Sequence, residues 1–174
     1  MTVTEELISS IVLKVKGAYK FKIHKDENPH LTMTEHDLKT FKPEQDDDFI
    51  ELDFTPPWPR VSMLKELEKH LGEPMPKEIE TDEANKYFDL HAKKHKVECP
   101  NPRTTSRLID KLVGHFLEVT FKNPTFLIDH PQIMSPLSKF HRTEVGISER
   151  YQNHFIKDLN YLSISGRSAM HTLN

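Results

Sequence analysis

The sequence predicts an α+β fold, and three observations predict it. Apolar residues recur at helical spacing in four segments, strict alternation marks two strands, and a short apolar run marks a third strand. The two alternating strands follow each other along the chain and suit an antiparallel pair, which favours α+β over a Rossmann-like arrangement. A glycine-rich phosphate loop is absent, and five glycines among 174 residues leave little material for one.

The first predicted helix begins at a capping-box pattern formed by Thr2 and Glu5, and it ends at Gly17. Its apolar residues recur every three or four positions, as a helix packed on a core requires. These residues are Leu7, Ile8, Ile11, Val12 and Val15.

Two half-buried strands follow, at 19–24 and 50–54, where apolar and charged residues alternate. The connection between them, 25–48, is long for a hairpin and is rich in acidic residues and histidine. We therefore expect 25–48 to be a surface insertion. A metal site built from His24, His30 and His36 is disfavoured, because the sequence provides neither a cysteine partner nor a tight spacing.

The remaining elements are read from turn and cap signals. Three prolines in FTPPWPR, 54–60, oppose both helix and regular sheet. A helix is expected from Ser62 to Gly72, a linker over 73–80, and two further helices that begin at Thr81 or Asp82 and at Thr104 or Thr105. The run PTFLI, 124–128, is predicted to be a buried strand.

Composition and isolated motifs exclude several kinds of function. A net charge of −3 gives no reason to expect nonspecific nucleic-acid binding. The single cysteine, Cys99, suits a reducing compartment and is expected to be an ordinary buried thiol. No apolar run reaches the length of a membrane span, so we expect a soluble cytoplasmic protein. His91 and His95 share a helix face without the glutamate of a zinc protease, so we expect a solvated face there. Ser135 lacks a nucleophile elbow.

Two stretches resemble the catalytic domain of class II lysyl-tRNA synthetases. They are LDFTPPWPRVSMLKELEKHLG, 52–72, and ECPNPRTTSRLIDKLVGHFLEVTFKNPTFLIDHPQIMSPLSKFHR, 98–142. The resemblance covers residues 1 to about 150. It implies part of an antiparallel class II sheet with flanking helices, in a homodimeric parent enzyme that uses ATP and Mg²⁺ to join lysine to tRNA-Lys through an adenylate.

The chain also departs from the family pattern. Pro59 replaces a basic residue, His115 an acidic one and Phe140 a tryptophan. The family segment whose arginine and glutamate grip ATP and lysine would precede Met1, and the substrate-binding strand and final arginine motif would follow the matched region. We therefore expect an internal fragment of the catalytic domain, and no catalytic, cofactor-binding or metal-binding residue is carried over.

The end of the chain predicts a domain boundary. We expect 1–151 to be the partial catalytic domain and 152–174 to be a tail foreign to the family. The final residues GRSAMHTLN, 166–174, can be encoded so that a neighbouring reading frame gives EICNAYTE, which resembles the family's substrate-binding strand. The tail is therefore interpreted as a frameshift or retained-intron product.

One polar cluster follows the buried strand and carries the only candidate substrate-facing residues, His130, Ser135 and Lys139. The alternative is that this cluster, with Asp129 and His141, orients a loop and caps the next turn. At the level of the whole chain we expect a lysine–tRNA ligase fragment that is inactive in isolation. The alternatives are a noncatalytic interaction module derived from a synthetase and, less favoured, a histidine metal-binding protein.

Overall fold

Helices and strands alternate along the chain in the computed structural model, which describes residues 1–24, 49–154 and 164–167. The predicted insertion, 25–48, and all of the predicted tail beyond 154 except 164–167 lie outside these residues. The helices are α1 (Thr2–Lys16), α2 (Met63–Leu71), α3 (Asp82–Lys94) and α4 (Thr105–Phe116). The strands are β1 (Lys20–His24), β2 (Phe49–Asp53), β3 (Arg60–Ser62), β4 (Thr125–Ile128), β5 (His130–Pro131), β6 (Ile147–Ser148), β7 (Arg150–His154) and β8 (Ile164–Arg167).

The strands form three small sheets. β1 and β2 pair antiparallel, with Phe21 opposite Leu52, as the alternation predicted. A four-stranded sheet has the order β3-β4-β7-β8, and β5 pairs with β6. Only β3 and β4 run parallel among the described pairs, so the predicted α+β class is confirmed.

The proline-rich stretch is irregular up to Pro59, as predicted, and then becomes a strand that the sequence did not predict. β3 begins at Arg60, directly after the last proline, because Pro59 supplies a carbonyl that accepts from the Phe126 N–H at 2.8 Å. A proline lacks a donor but keeps its acceptor, so it can stand at the start of a strand.

Two hydrophobic cores share β4 as a wall. Alternate side chains of a strand point to opposite faces, so Phe126 enters one core while Leu127 enters the other, and both are fully buried. The first core joins α1 and the β1–β2 pair through Leu52, Phe54 and Trp58. The second core is formed mainly by the apolar faces of the other three helices: Met63, Leu67, Leu71, Ala84, Phe88, Ala92, Leu108, Ile109, Leu112 and Val113.

The beginning of α1 differs from the predicted capping box. The helix already includes Thr2, and its first residues make no side-chain cap hydrogen bond. Glu5 instead turns into the protein, with 4% of its surface exposed, and its carboxylate accepts from the Trp58 N–H at 2.6 Å. The same carboxylate pairs with Arg60 at 3.2 Å. Glu5 therefore links α1 to the proline-rich turn.

The predicted apolar face of α1 divides into two. Ile8 and Val12 pack on the first core, beside buried Ser9, whereas Leu7 and Ile11 are 59% and 52% exposed. Val3 and Val15 are exposed as well and lie on the same i, i+4 row as Leu7 and Ile11. The helix thus presents an apolar outer row, which we call the α1 outer row.

The other helix ends agree with the sequence signals. Gly17 and Gly72 end α1 and α2 in the left-handed conformation, with φ of 77° and 72°. The Thr81 side chain accepts from the Ala84 N–H at 3.2 Å and caps α3. Ser62 stands at the cap position of α2, but its hydroxyl forms no cap hydrogen bond there.

Candidate functional site

The predicted polar cluster lies in a loop, 129–149, that joins β4 to β7. Asp129 begins the loop with a φ of 58°, a left-handed conformation that aspartate tolerates better than most residues. Pairing of β5 with β6 then closes the loop on itself. The structure brings the candidate residues onto this one loop, and each has a different environment.

His130 is buried at the base of the loop, with 1% of its surface exposed. Its Nδ1 lies 3.2 Å from the Arg150 carbonyl oxygen, and its own carbonyl accepts from the Ser148 hydroxyl at 3.1 Å. Burial, aided by the positive charge of Arg150, lowers the pKa of His130 to about 4. The imidazole is therefore neutral at pH 7 and is held inside the loop.

Ser135 is also buried, and its hydroxyl oxygen accepts from Arg150 Nη1 at 2.8 Å. The same guanidinium nitrogen donates to the Met134 carbonyl at 3.4 Å. Arg150 thus ties the middle of the loop to the start of β7. Sequence reasoning did not single out Arg150, because a lone arginine at a strand start carries no signal of which loop atoms it will meet.

Lys139 is the most accessible of the three candidates, with 38% of its side chain exposed. Its Nζ lies 4.0 Å from Glu149, whose other carboxylate oxygen pairs with Arg142 at 2.8 Å. Two cations therefore share one carboxylate at the outer edge of the loop.

His141 caps the turn that follows it. Its Nδ1 accepts from the Glu144 N–H at 3.1 Å, and the Thr143 N–H lies 3.3 Å away. This geometry accords with the structural interpretation of the cluster, in which polar side chains order the loop. The substrate-facing role of His130, Ser135 and Lys139 stays a prediction.

The predicted solvated face at His91 and His95 is wrong. His91 is fully buried, its ring lies 4.4 Å from that of Tyr87, and Nε2 is 3.6 Å from a Glu73 oxygen. Burial lowers the pKa of His91, which favours the neutral ring. The sequence pattern misled because Lys93 and Lys94 between the histidines point outward while His91 follows Phe88 into the core.

Cys99 is buried, as predicted for an ordinary thiol. Within 1–24, 49–154 and 164–167 no group of three His, Cys, Asp or Glu residues could hold a metal ion. No helix in the same ranges combines the length and apolarity needed to cross a bilayer.

Comparison with known proteins gives one consistent group of relatives. The chain is 38% identical over 154 residues to "Lysine--tRNA ligase cla4" of Cladosporium cladosporioides, which covers 87% of this chain and 23% of that protein. It is 34% identical to "Probable lysine--tRNA ligase, cytoplasmic" of Encephalitozoon cuniculi, over 87% of this chain and 27% of the relative. It is 30% identical to "Lysine--tRNA ligase" of Dehalococcoides mccartyi, over 87% and 25%. The chain spans about a quarter of the length of these curated relatives, and no family model matches it.

Proposed function

We propose, from the premise that this chain is homologous to part of the lysine–tRNA ligases, that it represents part of their class II catalytic domain. The homology covers 87% of the chain in fungal, microsporidian and bacterial relatives alike. In the intact enzymes the reaction would activate lysine with ATP and Mg²⁺ and transfer it to tRNA-Lys. A homodimer in the cytoplasm is the corresponding assembly and location.

The packing around β4 supports the class II assignment. α4 covers one face of this strand through Leu127 and α1 covers the other through Phe126. Helices that flank a central strand on both faces are part of the arrangement that the resemblance implies. The loop 129–149 would then lie at the rim of the substrate site, with Lys139 as its accessible cation.

We further propose that the 174-residue chain does not catalyse the reaction alone. Arg150 is held by the Ser135 hydroxyl and His130 is buried and neutral, so we assign no described residue to ATP, Mg²⁺ or lysine. Adenylate formation depends on charged groups aimed at the developing charge in the transition state. The test is lysine-dependent exchange of pyrophosphate into ATP, with the intact Encephalitozoon cuniculi relative as positive control. Exchange by the 174-residue protein above a lysine-free blank would contradict the proposal.

The domain division, 1–151 and 152–174, is part of the same proposal. Asn153 supports it, because this residue is fully buried beside Phe126 and its amide atoms have no hydrogen-bond partner in the described structure. A strand shaped by selection for this core would carry an apolar side chain there. Sequencing the transcript tests the idea. A neighbouring reading frame over the codons of residues 166–174 must encode the family's substrate-binding strand.

A second candidate is a noncatalytic module that associates with an intact synthetase. The observation that favours it is the α1 outer row, because four exposed apolar side chains on one helix row are typical of a contact surface. Affinity capture of the intact relative on immobilised chain distinguishes the two candidates. Saturable capture that is lost in Leu7→Lys would support the module, and capture that persists in that variant would count against it.

A further inference from the structure

A groove lies between the linker that precedes α3 and the outer part of the loop, and none of the three candidate residues lines it. Its larger cavity, about 600 Å³, lies between residues 77–81 and 132–146. A smaller cavity of about 160 Å³ adjoins it and shares Lys77, Ile79, Val145 and Gly146 with it. We call the two together the linker–loop groove.

The floor of the linker–loop groove is apolar and open to solvent. Ile79 and Ile133 contribute from opposite sides, while Phe140 is 62% exposed and Val145 is fully exposed. Water in contact with these side chains would be released by an apolar group that filled the cavity. The larger cavity also falls within the range of about 300–1,000 Å³ that is typical of ligand pockets.

The rim of the groove is acidic. Four glutamates line the two cavities against two lysines. Glu144 pairs with Lys65 at 3.6 Å, and Glu68 accepts from the Met75 N–H at 2.8 Å. Glu78 and Glu80 are exposed and form no ion pair within the described ranges. Lys77 lines both cavities and is exposed too, so the four glutamates and two lysines together leave a net charge of −2 beside an apolar floor.

Both walls are held by hydrogen bonds that do not depend on a ligand. On the loop side, the Gly146 carbonyl accepts from the Gln132 N–H at 2.9 Å and the Ile147 carbonyl accepts from the His141 N–H at 3.0 Å. On the linker side, the Thr81 hydroxyl donates to the Glu78 carbonyl at 3.0 Å. A preformed groove loses little conformational entropy when it is filled, which favours binding.

We propose that the linker–loop groove docks a basic peptide segment of a partner protein. An aliphatic or aromatic side chain of that segment fills the cavity between Phe140 and Val145, and flanking lysine or arginine residues meet Glu78 and Glu80. An arginine over the exposed ring of Phe140 would add a cation–π contact. The charge complementarity selects a basic segment over an acidic or neutral one.

Fluorescence anisotropy with labelled hexapeptides and the full 174-residue chain tests this proposal. The probe is RKLFKR, compared with EELFEE and with RKSSKR, which lacks the apolar anchor. We expect saturable binding of RKLFKR, with the other two peptides bound at least about tenfold more weakly, because each lacks one of the two recognition elements. Equal binding of RKLFKR and EELFEE would overturn the proposal.

Variants of the chain locate the binding to the groove. The double variant Glu78→Gln with Glu80→Gln should weaken binding by about fivefold, because two exposed carboxylates lose their charge. The double variant Glu98→Gln with Asp110→Asn, which also removes two negative charges from exposed surface but outside the groove, is the matched control and should leave binding unchanged. An unchanged affinity in the double variant would contradict the proposed rim contacts.

Phe140→Ala tests the floor, and Leu90→Ala is its control because Leu90 is 61% exposed and does not line the groove. We expect a loss of about tenfold for Phe140→Ala and none for Leu90→Ala. Val145→Ser provides a second, uncharged floor variant that should also weaken binding, and circular dichroism verifies that each variant folds. Light scattering that showed a dimer lost in Phe140→Ala would assign the groove to a second copy of this chain and overturn the peptide proposal.

Discussion

Single buried polar residues decide much of this structure, and Glu5 is the clearest case. A glutamate in the first turn of a helix is ordinarily interpreted as a cap or as a favourable charge near the helix N-terminus. Here the carboxylate is buried and accepts from the Trp58 N–H, a contact across 53 residues that no local pattern reveals. Patterns within a few residues predict caps and turns, and they cannot predict which distant donor a side chain will meet.

Replacement of Glu5 by alanine should destabilise the protein. The Trp58 N–H would remain buried without its acceptor, and an unsatisfied buried donor costs about 1–3 kcal/mol. Urea unfolding monitored by the fluorescence of Trp58 measures the change. Glu6→Ala is the control, because Glu6 is exposed on the same helix, and a comparable loss in both variants would contradict the assigned role.

Replacement of Asn153 should stabilise the protein, in contrast to replacement of Glu5. Its side-chain amide is fully buried, with no hydrogen-bond partner for either polar atom in the described structure, so Asn153→Val should stabilise the protein by about 1–2 kcal/mol. Asn123→Ala is the contrasting variant, because Asn123 accepts from the Asp53 N–H at 3.1 Å and its removal should destabilise. The shift in the urea midpoint distinguishes them. A destabilised Asn153→Val would show that the amide is satisfied in solution.

His130 makes stability depend on pH. Its folded pKa of about 4 lies below the ordinary value of 6.5, so below pH 6.5 the unfolded chain binds a proton that the folded chain resists. Stability is therefore present above pH 6.5 and falls as the pH drops toward 4, by up to about 3 kcal/mol for this residue. Burial of His91 and His154 lowers the pKa of each and acts in the same direction.

The measurement is the free energy of unfolding at pH 7 and at pH 5. In His130→Asn the difference between the two pH values should shrink, whatever the absolute stability of the variant. His70→Asn, at a position on α2 away from the loop, should keep the full difference. An unchanged difference in His130→Asn would contradict the role assigned to this histidine.

At the scale of elements, patterns of period and capping predicted most of the helices well. α3 and α4 begin where Thr81 and Thr104 predicted, and Gly17 and Gly72 end their helices as expected. β3 was missed, because a three-residue strand that follows three prolines has too short a pattern to be recognised. Its pairing with β4 is parallel and spans more than sixty residues of sequence, so only the tertiary structure reveals it.

The α1 outer row belongs to this scale too, and it should govern association more than folding. Leu7→Lys with Ile11→Lys should reduce concentration-dependent association of the chain and leave the unfolding free energy within about 0.5 kcal/mol, since both side chains are mostly exposed. Light scattering and urea unfolding report the two quantities. Ile8→Lys is the matched control, because Ile8 packs on the first core and its replacement should destabilise.

For the whole molecule, the periodic patterns of the sequence predicted the class α+β. The relation to lysine–tRNA ligases was recognised from long matching segments and not from a set of catalytic residues. The site could be predicted only as a set of polar residues on one loop. Which of them are buried depends on Arg150, Ser148 and the closure of β5 on β6, and these contacts arise from the tertiary structure.

The side chains of β4 are divided between two cores. If one core unfolded while the other stayed intact, one face of β4 would be exposed to water, so we expect the two cores to unfold together. Amide protons of Phe126 and Leu127 should then exchange with solvent deuterium only through complete unfolding, at the slowest rate in the chain. Thermal unfolding should show one transition for α1 and α4 alike. A destabilising substitution in either core should accelerate amide hydrogen exchange in both cores.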